Sequence, residues 1–121
     1  MNSPLLEAPS NRKEFWTSER CYILELLNDP ELPKVSLARC RVEAGVTTQL
    51  HSLAVNEIYV ISKGRGRIEV NGAPGFEVRV GDSVSIAEGE SQRITNIGSG
   101  DLVFKCICMP RFYPDCYRSL E

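Results

Sequence analysis

From residue 21 onward, apolar residues come in short bursts rich in Val, Ile, Leu and aromatics, separated by clusters of Gly, Pro, Asn and Asp. The bursts recur about every ten residues, the rhythm of short strands joined by turns. They fall at 21–27, 35–42, 47–51, 57–62, 65–70, 76–80, 83–86, 91–96 and 102–109. Nine such segments predict an all-β domain, closed as a barrel or a two-sheet sandwich rather than left as an open sheet. Helix competes only over 21–27, where the apolar run is nearly continuous, and Asn28, Asp29 and Pro30 stop it after seven residues, which favours strand. Asn71 and Gly72 follow the alternating Arg67, Ile68, Glu69 and Val70 and mark a tight turn, since both tolerate positive φ. Residues 1–20 read as an N-terminal arm, 21–109 as the barrel and 110–121 as an extended C-terminal tail with a short helical turn.

Composition narrows the classes. The chain has 121 residues, enough for one core and one ligand cavity, too few for separate cofactor and substrate domains. Fourteen Lys and Arg against sixteen Asp and Glu leave a net charge of −2, which offers no field to attract nucleic acid or an anionic membrane. No apolar stretch approaches the roughly 18 residues of a membrane span, and residues 1–15 lack the apolar core of a signal peptide, so a cytoplasmic protein is expected. Five cysteines without a CxxC pair read as reduced thiols used for packing. Lys63, Arg65 and Arg67, around a glycine bend, read as a solvated surface rather than a phosphate cradle.

His51 is the single histidine, so chemistry needing two imidazoles is excluded within one chain. Glu57 follows six residues later, a spacing that suits two neighbouring antiparallel strands joined by a turn at 54–56. Alternation then puts Tyr59 and Ile61 on the face of Glu57, and Gln49 and Leu53 on that of His51. Without any metal, His51 reads as a pocket histidine bonded to Glu57, Gln92 as a group that satisfies Glu57 or the backbone, and Tyr59 as a core aromatic with a wet tip.

The intervals between these residues resemble the cupin family. Its first motif is Gly, five residues, His, one residue, His, three or four residues, Glu, six residues, Gly; here Gly45, His51, Leu53, Glu57 and Gly64 keep that spacing, with Leu53 in the second His position. Its second is Gly, five residues, Pro, one residue, Gly, two residues, His, three residues, Asn; Gly81, Ala87, Gly89, Gln92 and Asn96 keep every interval, with Ala87 for Pro and Gln92 for His. The resemblance covers 35–109 and implies a cupin-type β-barrel, a jelly-roll-like double sheet.

It further implies a divalent metal (zinc, iron, manganese or nickel) held by His51, Glu57 and Gln92, while Leu53 cannot ligate. The expected function is then binding of that metal and a small polar molecule, as in a metal-assisted isomerase or oxygenase with Glu57 or Tyr59 moving protons. The alternative is a non-catalytic barrel that holds a sugar or metabolite through His51, Gln92 and Tyr59 without metal. A third reading makes the barrel a dimerisation unit whose site has decayed. The resemblance also implies a homodimer paired through sheet edges and terminal arms, for which Phe15 and Trp16 supply apolar surface.

Overall fold

Gly and Asn sit where the chain must turn, and between those turns side chains alternate in and out with period two. The computed structural model describes residues 13–121, so 1–12 of the predicted arm lie outside the described residues. Eleven strands follow in order: β1 (Phe15–Trp16), β2 (Tyr22–Leu27), β3 (Ser36–Val42), β4 (His51–Leu53), β5 (Asn56–Lys63), β6 (Arg65–Val70), β7 (Phe76–Arg79), β8 (Ser83–Ile86), β9 (Ser91–Asn96), β10 (Leu102–Met109) and β11 (Tyr117–Ser119). A six-stranded antiparallel sheet has the order β1-β2-β3-β10-β5-β8, and a five-stranded one the order β11-β4-β9-β6-β7.

The inner faces of the two sheets form the core, with Val42, Ile61, Leu102 and Phe104 from one meeting Ile68, Val78 and Ile94 from the other. Along β5 the inward positions run Glu57, Tyr59, Ile61, and along β9 they run Gln92, Ile94, Asn96. The interior is thus polar at the end that holds Glu57 and Gln92 and apolar at Ile61 and Ile94. Asn96 is a structural polar residue: its amide donates to the carbonyls of Val42 and Gly100, and its oxygen accepts from the Gly98 N–H at 2.9 Å.

The turn at Asn71 and Gly72 has φ of 56° and 74°, closed by the Ala73 N–H on the Val70 carbonyl, as the dipeptide predicts. Gly64 carries the chain from one sheet to the other at φ 84°, and a Cβ there would lie 2.6 Å from the Asp101 carbonyl oxygen. Arg65 pairs with Glu77 at 3.3 Å and Arg67 reaches the Gly75 carbonyl, both on the surface, as expected of a solvated segment.

Three sequence expectations are corrected. The segment 47–51 is not one strand: Thr47 makes a lone bridge to Thr95, and regular pairing starts only at His51. β4 and β5 are not neighbours, because the turn after Leu53 passes the chain into the other sheet. The tail does more than trail, since after a short helical turn at Pro114–Cys116 it returns as β11 and pairs with β4. Its Glu121 carboxylate, held down to about 2 by the Arg20 guanidinium, accepts two bonds from Arg20 and one from the Leu50 N–H.

Candidate functional site

Because β4 and β5 lie in opposite sheets, His51 and Glu57 face the interior from two sides. The register adds their neighbours. His51 stands opposite Gln92 on β9, while Glu57 and Tyr59 stand opposite Cys108 and Cys106 on β10. His51, Leu53, Glu57 and Tyr59 line a cavity of about 150 Å³. That is the size of a cavity known to admit benzene, so a ligand of roughly six to ten non-hydrogen atoms fits.

Three acidic residues line this cavity, Glu19, Glu25 and Glu57, and among the described residues neither Lys nor Arg does. Glu57 is 6% exposed; its Oε1 has no hydrogen-bond partner, and its Oε2 accepts from the Cys108 thiol at 3.8 Å. Burial pushes this carboxyl up to about 7, against the smaller pull of the Gln92 amide and the two β10 thiols. The pocket histidine bonded to Glu57 is therefore not the arrangement found.

Instead His51 Nδ1 lies 2.7 Å from the Gln49 carbonyl oxygen, which can only accept. Nδ1 carries the proton, and in the neutral ring Nε2 is left with its lone pair. The imidazole stacks on Tyr117 of β11 at 4.8 Å, and the Tyr117 hydroxyl donates to the Gln49 side chain at 2.5 Å. The C-terminal strand thus fixes the plane of the ring.

Tyr59 reaches across the interior and donates to Gln92 Oε1 at 2.5 Å, its ring stacked on Phe104. Burial raises its phenol well above the ordinary value, so it stays protonated with that proton engaged by Gln92. Tyr59 acts here as a hydrogen-bonded wall, and Gln92 stands behind it.

Sequence reasoning missed several members of the site. Glu19 was hidden in the polar arm, and nothing in its neighbourhood marks it. Burial raises its carboxyl while His51 pulls it down. Cys40, Cys106 and Cys108 were read as packing, yet all three line the cavity. All five cysteines are free, as their spacing suggested, and burial raises the thiols of Cys106 and Cys108. Tyr117 lay in the supposed tail, where no motif points to it.

The fold is that of the cupins over nearly the whole described chain. The oxalate decarboxylase of Lactobacillus farciminis, solved as a formate complex, superposes with a TM-score of 0.79 at 22% identity, over 92% of this chain and 34% of that one. Pac13, a nucleoside dehydratase of Streptomyces, gives 0.78 at 14% identity over 94% of this chain and 88% of its own. The chain spans about a third of the length of the oxalate decarboxylases of Lactobacillus farciminis and Bacillus subtilis. No family model matches the sequence. The uncharacterized protein MJ1618 of Methanocaldococcus jannaschii is 35% identical over 113 residues, 90% of this chain and 89% of that one, and the chain belongs to its family. No helix among the described residues is long and apolar enough to cross a membrane.

One fold neighbour, the oxalate decarboxylase of Bacillus subtilis (TM-score 0.76, 24% identity), has Mn(II) centres. The residues here do not fit such an ion. Among the described residues, no three His, Cys, Asp or Glu side chains gather closely enough to hold one. Leu53 presents hydrocarbon, and Gln92, whose oxygen accepts from the Tyr59 phenol, is not among the residues that line the cavity. Of the expected set, only His51 and Glu57 line the cavity, fewer than the three protein ligands of an ordinary catalytic site.

Proposed function

We propose that this protein binds a small polar molecule in its barrel and catalyses proton transfer on it, as an isomerase or lyase, with Glu57 as the general acid and base. One observation carries the reading: a buried glutamate side chain that lines a ligand-sized cavity and has one carboxyl oxygen without a hydrogen-bond partner. Leaving such an atom unpaired costs stability, and a substrate hydroxyl, amine or acidic C–H would supply the missing partner. A carboxyl that titrates near 7 is populated in both forms at neutral pH, the condition for giving as well as taking a proton.

Glu57 as carboxylate removes a proton from a carbon next to a carbonyl. As carboxylic acid it returns that proton to the former carbonyl carbon while the α-hydroxyl proton passes to the former carbonyl oxygen, which isomerises the substrate. Returned instead to a hydroxyl β to the carbonyl, which departs as water, the proton dehydrates it. His51 serves as the second acceptor through Nε2, held in orientation by the Gln49 carbonyl and the Tyr117 ring. The dehydratase activity named for Pac13 is the same type of chemistry on the same fold. The non-catalytic barrel remains as the outcome of a failed test.

Proton NMR in D2O provides that test, with dihydroxyacetone and aminoacetone as neutral and cationic carbon acids. The wild type should accelerate C–H exchange or conversion of at least one, and Glu57→Gln should abolish the acceleration while retaining binding. Binding without acceleration by the wild type would refute catalysis and leave a binding barrel.

A further inference from the structure

The charges around the cavity point to a ligand chemistry that differs from that of the oxalate decarboxylases sharing the fold. A dicarboxylate placed here would meet the half-buried Glu19 and the buried Glu57, and among the described residues that line the wall the one side chain able to carry positive charge is the His51 imidazole. Bringing an anion out of water into such surroundings costs Coulomb energy as well as desolvation. The rest of the wall is mostly aliphatic and thiol side chains, and it includes the rings of Tyr59 and Phe104, stacked at 4.5 Å, and of Phe112. Aromatic faces beside carboxylates attract organic cations, because the ring quadrupole and the negative charge act in the same direction.

We infer that the substrate of this pocket is a small organic cation, an amine or quaternary ammonium compound of roughly six to ten non-hydrogen atoms, seated among Glu19, Glu57, Tyr59, Phe104 and Phe112. The acidic wall alone would be a weak argument. What adds to it is the Glu57 side chain, more than nine-tenths buried, lining the cavity with one oxygen unpartnered. An ammonium group satisfies that oxygen by charge and, where it carries N–H, by hydrogen bonding. This inference rests on the pocket reading proposed above and adds the sign of the ligand's charge.

Three probes of nearly equal shape separate the possibilities: choline, its uncharged isostere 3,3-dimethyl-1-butanol, and 3,3-dimethylbutanoate. Isothermal titration calorimetry on the full chain should give choline an affinity at least tenfold above that of the alcohol, with the carboxylate weakest. Glu19→Gln, at a partly exposed position, should reduce the preference for choline over the alcohol at least threefold. An alcohol or carboxylate that binds as tightly as choline, or a preference unchanged in Glu19→Gln, would overturn the inference and leave the pocket reading intact. Absence of binding by all three at millimolar concentration would overturn both.

Discussion

Replacing Glu57 by Gln keeps the shape of the side chain and removes its titration, so the pH dependence of the stability difference isolates this one carboxyl. In the unfolded chain the group has its ordinary value of 4.5, and in the folded protein burial raises it to about 7. Below the unfolded value both states hold the proton, and the full stability is present. As the pH rises past 4.5 the unfolded chain releases its proton while the folded protein retains it, so the wild type loses stability until the folded group also ionises near 7. At 1.36 kcal/mol per pH unit the loss relative to Glu57→Gln amounts to about 3 kcal/mol. The group is almost wholly buried, so solvent screening does not reduce this figure much. Urea unfolding of both proteins at intervals from pH 4 to 8 measures it. The variant should gain on the wild type by about 3 kcal/mol across that window and no further above it. A stability difference that stays constant with pH would refute the claim that Glu57 is held as a buried acid.

Other features have their own tests. Gly64→Ala should destabilise by more than the roughly 1–3 kcal/mol of a left-handed backbone alone, because its Cβ also strikes the Asp101 carbonyl. Gly45→Ala, at φ 78° with open space around it, is the control, and equal costs in urea unfolding would refute the clash. Leu53→His combined with Gln92→His should raise zinc affinity at least tenfold over wild type in a competitor titration, since the register already sets position 92 opposite His51. Unchanged affinity in a folded double variant would show that these positions do not converge. We expect a homodimer formed along the β1 edge, where Phe15 and Trp16 are 49% and 53% exposed; sedimentation at micromolar concentration that yields monomer alone would refute it.

The fold was legible because its signals are local. Turn glycines and apolar alternation mark β5 through β10 almost to the residue, and the glycine intervals set the strands in the cupin order. His51, Glu57 and Tyr59 could be placed on the cavity wall for the same reason, since inward positions follow from period two once a strand is known. Pairing between distant segments was not legible. Whether the chain after Leu53 returns within one sheet or crosses to the other depends on packing of the whole barrel, and a six-residue spacing is compatible with both. Glu19 and Tyr117 reach the site from segments without periodicity, brought there by the Arg20–Glu121 pair and by the pairing of β11 with β4. The state of each donor also lay beyond the sequence, because the Tyr59 bond that occupies Gln92 is made across the two sheets.

The central claim is that Glu57 is a buried acid poised near neutrality on the wall of a ligand cavity. Carbon-13 NMR of the glutamate side-chain carboxyls, with Glu57 assigned through Glu57→Gln, follows its titration directly. A midpoint close to 7 is the predicted result; a midpoint at the ordinary 4.5 would contradict the account.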